Sequence, residues 1–368
     1  ASTDLDRLKH ETFFGREKDN IAFPIALANL VLHGIDQPNL WHGNTLTKLA
    51  SYAELYATAP KVFDFILTNP PFGGKEGVAA QKHYAFKTGS TQVLFVQDIL
   101  GELAEGGTCA IVLDDGFLFR KDEDAFVNTK RKMLDECALW AVVSLPGGVF
   151  VGAGAAVKTN LLFFTKGKKT EKIWYYDLTH VKVGKKSPIT LAHFGFGRNG
   201  EVLDDLDLPS ALTEAWKEDE TSTGDFPSYA RLLPLRGTTE AESRYSWTVD
   251  FAARRRQARD EAQPHKDEAT RLKVEVVTLK EELKAMRSSQ SKADKIKELE
   301  ETIVATEKAA RESQAKADAI EAAIYDLKAV NPNVVIKVDT RTPEEVIQSI
   351  EEQGKIVAEA MAALRGML

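Results

Sequence analysis

Between residues 11 and 165, short apolar runs alternate with stretches of helical period, the pattern of a parallel sheet buried on both faces. Strands are expected near 12–15, 40–43, 62–68, 108–113, 139–145 and 160–165, with an additional one at 173–177. Helices are expected at 21–33, where Ile21, Ile25, Ala28 and Leu32 share one face, and at 93–103. From 183 to 247 the periodicity fades into turns rich in Gly, Pro and Asp, read as a connecting segment. The composition then changes: Leu272, Val276, Leu279, Leu283 and Met286 recur at alternating spacings of four and three, the seam of a coiled coil. A similar spacing resumes at Ile296, Leu299 and Ile303 and again at Ile320, Ile324 and Leu327. Two readings stand here, an antiparallel hairpin with its tip near Ser289 or one long solvated helix. A last helix is expected from Thr342 towards Leu364, with Pro343 in its first turn and Glu345 placed for a capping box. The fold class is therefore α/β, with a catalytic-type domain over 1–182, a connecting segment over 183–247, a helical hairpin or coiled coil over 248–330, and a strand and helix over 331–368.

At 368 residues and 43% hydrophobic composition, the chain can bury about two domains' worth of core. It has no apolar run near the ~20 residues of a membrane-spanning helix, and its first residues lack a signal peptide's regions, so the expectation is cytoplasmic, with no membrane partner. The two cysteines, Cys109 and Cys137, read as small buried residues rather than a disulfide or a metal site. Histidines such as His33 and His42 are too scattered to suggest a metal centre. A net charge of -7 argues against a chain that coats nucleic acid unaided, because non-specific affinity comes mainly from neutralised phosphates. If DNA is a partner, local patches or another subunit must hold it; Arg254-Arg255-Arg256 is such a patch, or simply a solvated face.

The chemistry concentrates at Asn69-Pro70-Pro71-Phe72-Gly73-Gly74, directly after the apolar run 62–68. In open α/β sheets ligands bind beyond the carboxyl ends of strands. An exocyclic amine on a nucleobase is a poor nucleophile because its lone pair is delocalised into the ring. Two neutral acceptors, the Asn69 side-chain oxygen and the Pro70 carbonyl, can each take one N–H and hold the lone pair towards a methyl donor, while paired prolines stiffen the loop. Phe72 can stack on the base, a contact worth roughly 1–3 kcal/mol that offsets part of the cost of extruding it from a duplex. The tetrapeptide alone indicates amine methylation, which leaves DNA, RNA and protein glutamine as acceptors. A chain acting only as a non-catalytic interaction fragment is the rival from another class.

Together with Phe13-Phe14-Gly15-Arg16-Glu17, Asn29-Leu30-Val31-Leu32-His33-Gly34, Gly43-Asn44-Thr45-Leu46, Ser144-Leu145-Pro146-Gly147-Gly148-Val149-Phe150 and Lys158-Thr159-Asn160, the tetrapeptide makes the chain resemble the modification subunit of Type I restriction-modification systems over nearly its whole length. The resemblance implies a Rossmann-like S-adenosylmethionine-dependent methyltransferase acting on adenine N6 of DNA. It implies Glu17 on the ribose hydroxyls of S-adenosylmethionine, Asn44 near the cofactor's adenine, Leu46 either as an apolar wall for the same ring or as core packing, and Asn69 between cofactor and target. It also implies a specificity subunit, a restriction subunit and a second modification subunit as partners, with the helical arms as docking elements or packed on their own catalytic domain. The sequence departs from the family at one point. The Asp-Pro-x-x-Gly-Thr-Gly type of turn for the methionine end of the cofactor is not found; Gly152-Ala153-Gly154 precedes a strand, and Gly195-Phe196-Gly197 runs into an acidic stretch. The resulting expectation is a piece of a longer enzyme that lacks the first, central strand, exposes two sheet edges and alone binds S-adenosylmethionine weakly or not at all.

Overall fold

The computed structural model describes residues 2–47, 60–155, 157–289, 293–333 and 342–367. It divides into two compact units, residues 1–332 and 333–368. In the first, α1 (Ser2–Glu11) leads into β1 (Phe14–Glu17), α2 (Ala22–Leu32) and β2 (Asn39–His42), and β1 pairs with β2 in parallel as a sheet of two strands. Then follow β3 (Phe63–Thr68), α3 (Val78–Gln81), α4 (Thr91–Glu102), β4 (Leu103–Asp114), α5 (Asp115–Phe119), α6 (Asp124–Glu136), β5 (Cys137–Ser144), β6 (Thr159–Lys166) and β7 (Lys172–Asp177). The seven strands expected between residues 12 and 177 are present, and β8 (Ser246–Asp250) is an addition that its short run did not announce.

The large sheet has the order β3-β4-β6-β5-β7-β8. It is mixed rather than wholly parallel: β3 with β4 and β5 with β7 are parallel, whereas β6 runs antiparallel to both neighbours and β8 antiparallel to β7. Antiparallel β6 follows from its connection. The chain returns from the end of β5 without a crossover helix, and a strand entered that way must run back.

Burial on both faces is visible residue by residue. Alternate positions of β7 divide Ile173 and Tyr175 from Trp174 and Tyr176, and β5 divides Leu139 and Val142 from Ala141 and Val143. One core gathers Val96 and Leu100 of α4, Phe126 and Leu134 of α6, and Phe251, Ile324 and Leu327 from the root of the helical arms. The opposite core takes Leu212 of α7 (Ser210–Lys217), Tyr229 of α8 (Tyr229–Leu232) and Phe226. The segment expected only to connect therefore covers the face of the sheet formed by β5, β6 and β7. It does so with aromatic side chains on irregular backbone, which leaves no period to read. Cys109 and Cys137 are free and fully buried, and burial holds both thiols above their usual range.

The arms are α9 (Phe251–Ser288) and α10 (Ala293–Ala323). They form the antiparallel hairpin, not one long helix. Lys266 meets Glu321 at 2.5 Å, Lys273 meets Gln314 at 3.2 Å, Lys280 meets Glu307 at 2.7 Å and Arg287 meets Glu300 at 2.5 Å. Each step of seven forward in α9 is a step of seven back in α10, the heptad made visible. Such exposed pairs contribute little stability, but they fix register. Ala262, Ala269 and Val276 of α9 and Ile303, Ala310 and Ala317 of α10 are buried, and the alanines among them let the helices approach closely. The root packs on its own sheet: Leu327 N–H donates to the Leu118 carbonyl at 3.0 Å and Tyr175 Oη donates to the Leu327 carbonyl at 2.9 Å. Of the arginine cluster, Arg254 bonds the carbonyls of Asp326 and Ala323, and Arg255 pairs with Asp135 at 3.2 Å, so those two serve this root.

The second unit is described by α11 (Pro343–Met367). The expected capping box opens it: Glu345 N–H donates to Thr342 Oγ1 at 3.2 Å and Thr342 N–H to Glu345 Oε2 at 2.7 Å. The strand expected before it falls on residues 334–341, outside the described residues. No helix among the described residues is long and apolar enough to cross a membrane.

Among the described residues the two sheets do not hydrogen-bond to each other, although the rings of Phe14 and Phe63 stand 5.9 Å apart. Strand β3 thus forms one edge of the large sheet, and Phe65 and Leu67 on it are 75% and 79% exposed. The apolar face of α2 is likewise open, with Ile21, Ile25 and Leu32 all exposed where the sequence pattern anticipated a buried stripe.

Candidate active site

The loop that leaves β3 is built to hold still. Pro70 and Pro71 bring no N–H that needs a partner, and Pro70 is buried. Gly73 turns the chain at φ +67°, and Gly74 then runs against the first turn of α4. There Thr91 N–H donates to the Gly74 carbonyl at 3.0 Å, Glu76 N–H donates to the Gly89 carbonyl at 2.9 Å, and a Cβ on residue 74 would lie 2.7 Å from Thr91 Oγ1. Asn69 stays exposed at the carboxyl end of β3. Phe72 is half-buried and meets Phe150 edge to face, with ring centroids 5.1 Å apart at 60°. Phe150 comes from the Leu145–Gly148 turn after β5, where Gly148 adopts φ +96°. Two loops from strands far apart in the sheet thus face each other with aromatic rings. No role for Phe150 was read from the sequence; the legible signal was an aromatic following Gly-Gly at the end of a strand.

Glu17 ends β1, and its Oε1 accepts the Asp19 N–H at 2.7 Å. Asp19 in turn accepts the N–H groups of Ile21 and Ala22 at 2.8 Å, and those bonds hold its carboxyl below the usual range. Asn44 is engaged at both ends: Oδ1 accepts Leu46 N–H at 3.0 Å and Nδ2 donates to Glu76 Oε2 at 3.1 Å. Glu76, which also faces Lys18 at 3.5 Å, was not anticipated. It ties the two-stranded sheet to the loop that follows Asn69–Phe72. Of the two readings of Leu46, wall for a ring or core, its full burial with Ala80, Tyr84 and Leu94 fits core packing. The Tyr84 hydroxyl reaches Asp98 at 3.1 Å, and burial together with that carboxylate raises the phenol far above its usual range.

A model of the N-6 DNA Methylase family matches residues 2–194, more than half of the 368. The chain belongs to this family. The N-6 DNA Methylase segment contains β1 to β7, the Asn69–Phe72 loop and Phe150. The EcoEI methylase subunit of a Type I restriction enzyme from Escherichia coli is 35% identical over 226 residues, 59% of this chain and 44% of that one. The EcoKI methylase subunit from Escherichia coli K12 is 34% identical over 195 residues, 50% of this chain and 36% of that one. Among solved structures, a chain from work on complex assembly and conformational transition of the type I R-M system aligns with all of this chain and 56% of its own length, at 26% identity and a TM-score of 0.54. These relatives bear out the motif-based resemblance to Type I modification subunits. The chain spans less than half the length of the two curated relatives.

Proposed function

We propose that this N-6 DNA Methylase chain carries the target-amine site of an S-adenosylmethionine-dependent adenine-N6 DNA methyltransferase, the modification subunit of a Type I assembly. The observation that supports this most is the pinned Asn69–Phe72 loop with Phe72 against Phe150 at the carboxyl edge of the sheet. In this reading Asn69 Oδ1 and the Pro70 carbonyl each accept one N–H of the adenine amine, turning its lone pair out of conjugation. Phe72 and Phe150 hold the base flat. Neither acceptor is a strong base, so the proton released after methyl transfer passes to water at exposed Asn69. The gain in rate then comes from positioning rather than proton abstraction.

S-adenosylmethionine, when bound, supplies an electrophilic methyl group on a sulfonium. The residues fit its adenosine end: Glu17 retains acceptor capacity beyond the one bond to Asp19, and Asn44 keeps one amide N–H beyond that given to Glu76. The sequence offers no glycine turn for the methionine end. The β3 edge, unpaired among the described residues, favours a further strand between β1 and β3 that brings such a turn. The 368-residue chain alone is therefore expected to bind S-adenosylmethionine more weakly than about 100 μM. Calorimetric titration with a micromolar dissociation constant would refute this. The helical arms are the proposed seat of a specificity subunit, with a restriction subunit and a second modification subunit completing the assembly. When the complete modification subunit is assembled with its specificity subunit, tritium from labelled S-adenosylmethionine should appear in DNA as N6-methyladenine on nucleoside chromatography. Label recovered in RNA or in protein glutamine instead would overturn the DNA assignment.

A further inference from the structure

The loop carrying Phe150 continues into a single 3-10 turn, Val151–Ala153, and hydrogen bonds help to hold its foot. Asn160 opens the line. At 1% exposure, its Oδ1 accepts the Ser144 hydroxyl at 2.9 Å and its Nδ2 donates to Asp115 Oδ1 at 2.8 Å, while Lys328 Nζ donates to Asp115 Oδ2 at 3.1 Å. Ser144 is the last residue of β5, immediately before Leu145–Phe150, and the Leu145 N–H donates to the Thr159 carbonyl at 2.9 Å. On the other side, Asp114 Oδ2 accepts from Gln92 Nε2 at 3.0 Å, and Gln92 follows Thr91, the residue that pins Gly74. A polar string therefore crosses the carboxyl edge of the sheet from the anchor of one loop to the foot of the other.

An amide buried this deeply is costly unless both its ends are paired. The fold alone would be served by an apolar side chain at the start of β6. Only a group that donates and accepts at once joins the β5 hydroxyl to the α5 carboxylate. Beside it lies a cavity of about 230 Å³ lined by Ser144, Leu145, Asn160 and Leu327, so close packing does not fix the loop's foot there.

We propose that Asn160 is a positioning residue for methyl transfer, holding the Leu145–Phe150 turn so that the Phe150 ring stays against Phe72. Through Asp115 and Lys328 it ties that position to the root of the helical hairpin. The inference rests on reading Asn69–Phe72 as the amine-holding loop, and the test separates the two.

In the assembled, complete enzyme, Asn160→Ala should lower kcat about 10–100-fold while KM for DNA and for S-adenosylmethionine stays within about twofold, as expected for a group displaced by a fraction of an ångström. Asn160→Asp keeps the shape but sets a carboxylate against Asp115. Its activity should recover as pH is lowered from about 8 to about 6, where the pair can share a proton, a recovery absent from the wild type. If Asn160→Ala does not fold, Ser144→Ala carries the same test, with a kcat drop of about three- to tenfold. A lowered melting temperature with wild-type kcat per folded molecule in these variants overturns the proposal. Asn69→Ala, run alongside, distinguishes the failures. If it is inactive while Asn160→Ala turns over normally, only the positioning role falls. If Asn69→Ala itself retains full turnover, the amine-holding reading falls, and the inference with it.

Discussion

Asn69→Ala in the assembled enzyme is expected to reduce kcat by at least about 10²–10³-fold while changing KM for DNA and for the cofactor by less than about threefold. Adenine's amine needs its lone pair redirected, and the effect of an acceptor is felt where charge develops at nitrogen. Removing the Asn69 oxygen leaves the Pro70 carbonyl to hold one N–H, so the amine can relax towards conjugation with the ring. Asn69 is exposed and forms no hydrogen bond among the described residues, and the loop is pinned further on, by Thr91 at Gly74. The melting temperature should accordingly stay within about 2 °C of wild type. Asn69→Asp is the informative companion. It keeps an oxygen and adds a charge, so it should retain more turnover than Ala if the oxygen accepts from the amine. Steady-state methylation with all three proteins decides the point, and wild-type kcat for Asn69→Ala would remove the tetrapeptide from the chemistry.

The legible parts of this fold are those whose signal is local. Strands β5 to β7 alternate between two cores, β4 feeds one of them, and each of β3 to β7 reads as a short apolar run in its own right. The hairpin's heptads are equally local. Pairing direction is not: β6 looks like any other buried run, and only the connection from β5 makes it antiparallel. The same limit hid the cover over the second face, because Phe226 and Tyr245 pack from turns and Tyr229 from a helix of a single turn, too short to show a period. At the candidate site, the Asn69–Phe72 loop could be read because the strand before it and the chemistry of its residue types coincide. Phe150, Glu76 and Asn160 take their meaning from partners 78, 32 and 45 positions away: Phe72, Asn44 and Asp115. The two readings of Leu46 stood open for a related reason. An apolar residue near a ligand edge and one inside a small core look identical until Tyr84 and Leu94 are seen to close over it.

Gly74→Val is expected to cost about 10²-fold in kcat with only a small change in stability, because it moves the loop rather than the core. The glycine is not needed for a left-handed backbone, since its φ is not positive; it is needed for closeness. A Cβ there would stand 2.7 Å from Thr91 Oγ1 and 3.2 Å from Thr91 Cβ, and Thr91 cannot yield. It is β-branched, 3% exposed and sits in the first turn of α4, where its own N–H holds the Gly74 carbonyl. The strain therefore falls on the Gly73-Gly74 turn, and Asn69 to Phe72 shift with it. Gly74→Ala should lose less, and Thr91→Ala added to Gly74→Ala should restore much of the loss by removing Oγ1 while the backbone bond survives. A double variant no better than Gly74→Ala alone would show that Thr91 is not what the loop rests on. A Gly74→Val enzyme with wild-type kcat would show that methyl transfer tolerates a displaced loop, contrary to a site whose rate comes from position.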